Sequence, residues 1–98
     1  MDRKVLKYAG RILGENHAQI NVTYKVSKRC WGYWSPDGSL TFNIATIKTP
    51  MSCIEYVIVH ELCHLQFPNH DRLFYHSMHQ ILPDWKARKE KLELFGLK

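Results

Sequence analysis

The chain has 98 residues and a formal net charge of +5. Because chains usually divide into several cores only beyond roughly 250 residues, this length predicts a single domain over residues 1–98 and excludes a multidomain machine. Hydrophobic residues make up 45% of the sequence, which favours a packed core over disorder. In a domain this small, an active site should be an open cleft rather than a deep enclosed cavity.

The positive charge is concentrated in the first half of the chain. Residues 1–49 contain eight lysines and arginines and three acidic residues, whereas residues 50–98 contain six of each. A basic half can attract an anionic partner such as nucleic acid. No nucleic-acid-binding motif accompanies these residues, so we favour the simpler interpretation that the cations between Arg3 and Arg11 form the solvated face of a helix. Nucleic acid therefore stays an open but disfavoured partner.

The cysteines and the N-terminal residues bear on where the protein works. Cys30, Cys53 and Cys63 form no Cys-x-x-Cys pair, which argues against both a disulfide framework and a zinc ribbon. The N-terminal residues are polar, unlike those of a signal peptide, and no apolar run reaches the roughly 18 residues of a membrane span. We therefore expect a cytoplasmic protein without a membrane partner, either monomeric or weakly self-associating.

The first half of the chain reads as one helix followed by two strands. Apolar residues at helical spacing predict a helix over residues 3–13. Strict alternation of apolar and polar residues then predicts strands over residues 20–26 and 40–44. An aromatic segment, residues 31–34, lies between them, and we interpret it as the loop that joins an antiparallel pair.

The second half reads as three helices. Thr49 and Pro50 resemble a capping residue and a first helical residue, and the helix they begin should end near Phe67. Its middle is apolar on nearly every face, which is typical of a buried central helix. Two further helices are predicted, over residues 71–82 and from residue 83 onward. The predicted class is therefore α+β, with a small antiparallel sheet packed on a central helix and three further helices.

The central helix carries a His-Glu-x-x-His motif. His60 and His64 are four residues apart, so both imidazoles lie on one helix face and can bind one Zn²⁺ ion. Glu61 lies about 100° around the helix, where it can act as a general base on a water without binding the metal. Without a metal, these polar groups would be buried at a cost of roughly 1–3 kcal/mol each. Cys63 diverges from the histidine face, and we expect it to pack in the core.

A catalytic zinc usually has three protein ligands and one open position. His70 is our choice for the third ligand, because it follows the turn after the central helix, where the chain can return a side chain towards the metal. His76 and His79 come later on the next helix, and at least one of them should lie in solvent. Glu90 and Glu93 stay as alternatives, because some zinc peptidases take a glutamate from a later helix.

These residues also carry a family resemblance. The segments that carry it are Tyr56–Leu65, Asn69-His70, Phe74-Tyr75 and Leu82–Trp85, together with Arg29, Trp31-Gly32 and residues 38–43. In these segments the sequence resembles the YgjP-like metallopeptidase family. More distantly, the sequence is similar to SprT-like and minimal gluzincin scaffolds. The chain departs from the family pattern at Tyr33-Trp34, where the family has Ser-Cys, and at Tyr75, where it has Trp.

The resemblance implies a minimal zincin-like catalytic domain. In such a domain His60, His64 and His70 hold one Zn²⁺ ion and Glu61 polarises the water. It also implies that strand 40–44 lies beside the cleft and pairs with an extended peptide. The residues expected to contact the substrate are Leu40, Phe42 and Tyr75.

The function that follows is zinc-dependent hydrolysis of peptide bonds in peptides or proteins, by an enzyme that is either active or latent. A donor for the oxyanion is also needed, and Tyr33, Tyr75 and His76 are all candidates. One alternative is a SprT-like protease acting on DNA-bound proteins. The other is a zinc-containing interaction module with little activity. Imidazole ligands also suit nickel, cobalt and copper.

Overall fold

The elements of the domain follow the predicted order, with one additional strand. The computed structural model describes residues 7, 8, 10, 11, 21–26, 30–35, 39–67 and 69–95. After the N-terminal helical residues come three strands, β1 (Asn21–Lys25), β2 (Gly32–Trp34) and β3 (Ser39–Asn43). A 3₁₀ helix (Ile44–Lys48) and the helices α1 (Met51–Gln66), α2 (Arg72–Ile81) and α3 (Trp85–Glu93) follow. The α+β class is confirmed. Residues 7, 8, 10 and 11 are helical, and the rest of the predicted helix 3–13 lies outside the described residues.

The sheet is mixed rather than antiparallel. β3 lies at its centre, with β1 parallel on one side and β2 antiparallel on the other. The predicted antiparallel pairing of strands 20–26 and 40–44 is therefore wrong. The aromatic segment interpreted as a loop contains β2, so the chain reverses twice between β1 and β3 and restores its direction. Three residues are too few to give an alternation signal, which is why the sequence analysis missed this strand.

One face of the sheet packs against α1. The register pairs Leu40 with both Val22 and Trp34, and pairs Phe42 with Gly32, so these side chains point to the same face. Leu40 and Phe42 are fully buried in the core, together with most of the apolar residues of α1. The predicted buried central helix is confirmed; it contacts β2 and shares one core with the buried residues of β3.

The start of α1 differs from its prediction by one residue. Pro50 is the N-cap of the helix rather than its first residue, and it makes no side-chain capping bond. The Thr49 hydroxyl instead donates to the carbonyl of Thr46, in the 3₁₀ helix, at 2.7 Å. Thr49 is the C-cap of the 3₁₀ helix, so its hydroxyl bonds to that helix instead of capping α1. The end of α1 at Gln66 agrees with the prediction.

Helices α2 and α3 lie against α1. The Asp71 carboxylate caps α2 by accepting from the backbone N–H groups of Leu73 and Phe74. Phe74 and Met78 of α2 are fully buried. Within the described ranges, none of the helices has the length and apolar character needed to cross a membrane.

An ion-pair network ties α3 and the N-terminal helical residues to α1. Glu55 of α1 accepts from the Tyr8 hydroxyl at 2.6 Å and from the Arg88 guanidinium at 3.2 Å. Arg88 also donates to Asp84 at 2.8 Å. Burial and the bond to Glu55 raise the pKa of Tyr8 to about 12, so the phenol stays a donor at neutral pH. Glu55 therefore joins three parts of the chain in the first half of α1.

Candidate metal centre and cleft

Three imidazoles converge where α1 meets the turn that leads to α2. His60 and His64 lie one helical turn apart, and His70 returns from the residue before the α2 cap. The Nε2 atoms of His60 and His64 are 3.2 Å apart, and those of His64 and His70 are 2.6 Å apart. One ring nitrogen from each histidine lies within 4.8 Å of the other two. The fold thus brings together the three histidines that the sequence singled out.

The chemistry of this cluster suits a divalent metal ion. Nitrogens bound to one tetrahedral zinc at about 2.0–2.1 Å are separated by about 3.3 Å. The 3.2 Å between His60 and His64 is close to this value, whereas the 2.6 Å between His64 and His70 is shorter, so these two rings would move apart on binding an ion. Burial, and then the neighbouring His64 and His70, lower the pKa of His60 to about 3. His60 is therefore neutral at physiological pH, which is the form that binds metals.

A single aromatic ring from α2 supports all three histidines. The ring centroid of Phe74 lies 5.3 Å from that of His60 and 4.8 Å from those of His64 and His70. Phe74 is fully buried, so it forms an apolar base behind the cluster. Its contact with every imidazole had no sequence signal, because it depends on how α2 folds back along α1.

Strand β2 lies directly against Glu61. A Cβ atom at Gly32 would lie 3.2 Å from the Glu61 Cγ atom, so only glycine allows this close approach without a shift. The Trp34 indole N–H also donates to the backbone carbonyl of Glu61. Burial raises the pKa of the Glu61 carboxyl to about 8. A metal cation beside it would favour the ionised form.

A cavity of about 880 Å³ opens beside these residues. His60, Glu61 and His64 line it from α1, while β2 with its flanking residues and α3 form the two walls. The walls are largely apolar and aromatic, with Trp31, Tyr33, Trp34, Tyr56, Val57 and Leu92 among the lining residues. Lys89 and Glu93 of α3 add one charge of each sign. This composition suits a peptide that presents an apolar side chain.

Two of the predicted substrate contacts are wrong. Leu40 and Phe42 are fully buried, and β3 has a neighbouring strand on each side. Neither side chain lines the cavity. The family resemblance implied that strand 40–44 lies beside the cleft, and β2 was not recognised as a strand. With β2 in the sheet, the strand next to the cleft is β2 and β3 becomes core.

The third predicted contact, Tyr75, lies outside the main cavity. Its ring stacks on Trp85 at 5.1 Å and lies 6.2 Å from the His70 ring. Together with His76, it lines a shallower pocket of about 510 Å³ between α2 and α3. Of the three candidates for an oxyanion donor, only Tyr33 lines the main cavity.

The alternative ligands do not join the cluster in the described part of the chain. Glu93 lines the cavity from α3, whereas Glu90, His76 and His79 are exposed and do not line it. The histidine triad is the group of donor atoms that lies close enough to share an ion. Cys63 is fully buried, with its Sγ atom 3.8 Å from the Ser77 hydroxyl, and it packs in the core as predicted.

Tyr56 is a site residue that the sequence analysis did not single out. Its hydroxyl lies 3.4 Å from Nδ1 of His60, and it lines the cavity. Burial raises the pKa of Tyr56 to about 12, so the phenol is neutral. The available signal was its position four residues before His60, which puts both side chains on one helix face.

Comparison with known proteins agrees with this geometry. Residues 3–94 match the family model described as the YgjP-like metallopeptidase domain. The fold is similar to that in the crystal structure of the metallopeptidase zymogen abylysin of Pyrococcus abyssi, with a TM-score of 0.82, 22% identity, and coverage of 98% of this chain and 95% of that one. It is also similar to the zymogen jannalysin of Methanocaldococcus jannaschii, with a TM-score of 0.80, 18% identity, and coverage of 93% and 91%. No curated protein matches the sequence significantly. The family match extends over nearly the whole sequence, and the chain therefore belongs to the YgjP-like metallopeptidase family.

Proposed function

We propose that the chain is a single zinc-dependent metallopeptidase domain that hydrolyses peptide bonds in the cleft between β2 and α3. The observation that supports this most strongly is the convergence of three imidazoles beside a cavity that also contains the buried Glu61 carboxyl. His60, His64 and His70 would hold one Zn²⁺ ion. Glu61 would be the general base.

Each protein group has a separate task in this reaction. When bound, zinc lowers the pKa of a coordinated water and polarises the scissile carbonyl. Glu61 accepts the proton of the attacking water and later donates it to the leaving amine, so the carboxylate is regenerated. The contacts from Gly32 and Trp34 hold Glu61 against β2 while it transfers this proton. Tyr33 is the best placed of the predicted donors for the oxyanion.

The outer edge of β2 is where an extended peptide would bind. The N–H of Asn43 donates to the Trp31 carbonyl, and the N–H of Ser35 donates to the Ser39 carbonyl. Backbone groups alternate along an antiparallel strand, so those of Gly32 and Trp34 point away from β3. β2 is an edge strand, and both residues line the cavity. A substrate strand added at this edge would lie across Glu61 with its side chains against the aromatic wall.

The test uses the full chain loaded with zinc and an unfolded protein as substrate. Wild-type protein should release peptides that mass spectrometry detects, whereas Glu61→Gln should lose activity by about 10²–10⁴-fold and keep its zinc. Glu90→Gln is the matched control, because Glu90 is exposed on α3 outside the cavity. Retained hydrolysis in Glu61→Gln would refute the proposed base, and failure of the wild type to bind zinc would refute the metal site.

A latent form of the same enzyme is the second candidate. The two similar crystal structures are both described as zymogens, which supports testing this state. A latent chain would bind zinc but hydrolyse nothing until part of it is displaced or removed. Limited proteolysis followed by the same assay separates the two states, because only a latent chain gains activity on cleavage. An interaction module would bind zinc and stay inactive after cleavage.

A further inference from the structure

We infer that Tyr56 is a positioning residue for the metal centre. Its hydroxyl oxygen accepts the Nδ1 proton of His60 and so leaves the lone pair of Nε2 directed at the other two imidazoles. This inference rests on the proposed metal site and extends it by assigning the partner that selects the tautomer of one ligand.

The two nitrogens of the His60 ring face different partners. Nδ1 lies 3.4 Å from the Tyr56 hydroxyl, and Nε2 lies 3.2 Å from Nε2 of His64. The ring centroids of Tyr56 and His60 are 5.5 Å apart, so the two side chains also pack together. The tyrosine is therefore on the side of the imidazole opposite the histidine cluster.

This arrangement matters because a neutral imidazole carries a single proton. Nε2 can bind a metal only when that proton is on Nδ1, where it needs an acceptor. A phenol oxygen can accept it. Partners of this kind, which bind the second nitrogen of a ligating histidine, fix the orientation and tautomer of the ring.

Packing holds the Tyr56 hydroxyl in place. Tyr56 is only 7% exposed and belongs to the hydrophobic core, and it also lines the cavity. The side chain has therefore lost its conformational freedom on folding, whether or not a metal is bound. Tyr75 offers a contrast, since it is 37% exposed and stacks on Trp85 beside His70.

Zinc affinity of the full chain is the first measurement. By competition with a chromophoric chelator, Tyr56→Phe should raise the Kd for Zn²⁺ by roughly 10–100-fold, because it keeps the ring and removes only the acceptor. Tyr75→Phe is the matched control and should keep the wild-type Kd. An unchanged Kd in Tyr56→Phe, with zinc bound by the wild type, would overturn the inference while leaving the proposed peptidase intact.

The His60 tautomer is the second measurement, and it needs neither zinc nor activity. Imidazole ¹⁵N chemical shifts of the metal-free wild type should place the His60 proton on Nδ1. In Tyr56→Phe the shifts should move towards the Nε2-protonated form. Protonation of His60 on Nε2 in the wild type would overturn the inference, even if Tyr56→Phe failed to fold. A wild type that binds no zinc would refute the metal site, whereas these shifts would still decide the role of Tyr56.

Discussion

The two edges of the sheet, β1 and β2, differ in length, direction and surroundings. β1 has five residues, runs parallel to β3 and is exposed at every position except Val22, which is half-buried. β2 has three residues, runs antiparallel to β3 and is half-buried throughout. Only β2 lines the cavity and contacts Glu61. In such a small sheet, one edge can therefore serve the site while the other, with Lys25 at its end, faces solvent.

The strongest test of this difference removes one aromatic ring from each edge. Trp34→Ala removes the donor to the Glu61 carbonyl and part of the cavity wall, so hydrolysis should fall about 10²-fold. Tyr24→Ala on β1 should leave hydrolysis unchanged. Initial rates of peptide cleavage by the zinc-loaded variants give the comparison. Equal losses in both variants would mean that the two edges do not differ in function.

Trp34→Phe separates the two contributions of that side chain. It keeps an aromatic ring in the wall and removes the indole N–H. If the hydrogen bond to the Glu61 carbonyl is needed for catalysis, the rate of hydrolysis by Trp34→Phe should fall nearly as far as that of Trp34→Ala. Thermal unfolding of the metal-free variants checks that each one is folded.

A smaller loss is expected from Gly32→Ala. The added Cβ would lie 3.2 Å from the Glu61 Cγ atom and 3.3 Å from the Thr41 carbonyl oxygen, so β2 must shift by a few tenths of an ångström. We expect hydrolysis to fall about 10-fold with zinc affinity unchanged, because a displaced base weakens proton transfer. Asn21→Ala, at the exposed edge, is the control. A Gly32→Ala enzyme with wild-type rates would show that this approach is not required.

Phe74→Leu probes the support from α2 instead of either strand. Leucine fills most of the volume of the phenylalanine ring. The free energy of unfolding should therefore fall by at most about 1.5 kcal/mol. Zinc affinity and hydrolysis should fall together by several-fold, because the ring packs against all three imidazoles. Chelator competition measures the former. If hydrolysis fell while zinc affinity stayed unchanged, Phe74 would not support the metal ligands.

The smallest expected effect is the pH dependence of the Tyr8–Glu55 bond. The pKa of Tyr8 is raised from 10.0 to about 12, chiefly by burial and then by that bond. Because the folded-state pKa lies above the unfolded one, this stabilisation is complete below pH 10 and is lost as the pH rises towards 12. Tyr8→Phe should be less stable by about 1 kcal/mol at pH 7. Urea unfolding measures the difference in free energy of unfolding between Tyr8→Phe and the wild type, which should shrink between pH 10 and 12. A difference that stays constant over this range would contradict the prediction.

The histidine helix could be predicted from sequence because its information is local. His60, Glu61 and His64 lie within five residues of one regular helix, so their spacing alone fixes their relative directions. His70 could be predicted for a similar reason, because the chain reverses shortly after α1 ends and returns this nearby residue to the histidine pair.

Strand β2 was not predictable in this way. Its three residues make up less than two periods of a strand pattern, and its pairing with β3 depends on a chain reversal between them. The family resemblance implied that strand 40–44 lies beside the cleft, and because β2 was not recognised, Leu40 and Phe42 were assigned as substrate contacts. The contacts of Tyr56 and Phe74 with the imidazoles were missed because both residues also read as ordinary core.

The position of Phe74 links the docking of α2 to the occupancy of the proposed metal site. One buried ring touches all three imidazoles. If docking of α2 raises the affinity for the metal, binding of the metal must stabilise the docked α2 by the same factor. The backbone amides of α2 would then report metal loading. Their hydrogen exchange should slow when zinc is added, although none of the three ligands lies within that helix.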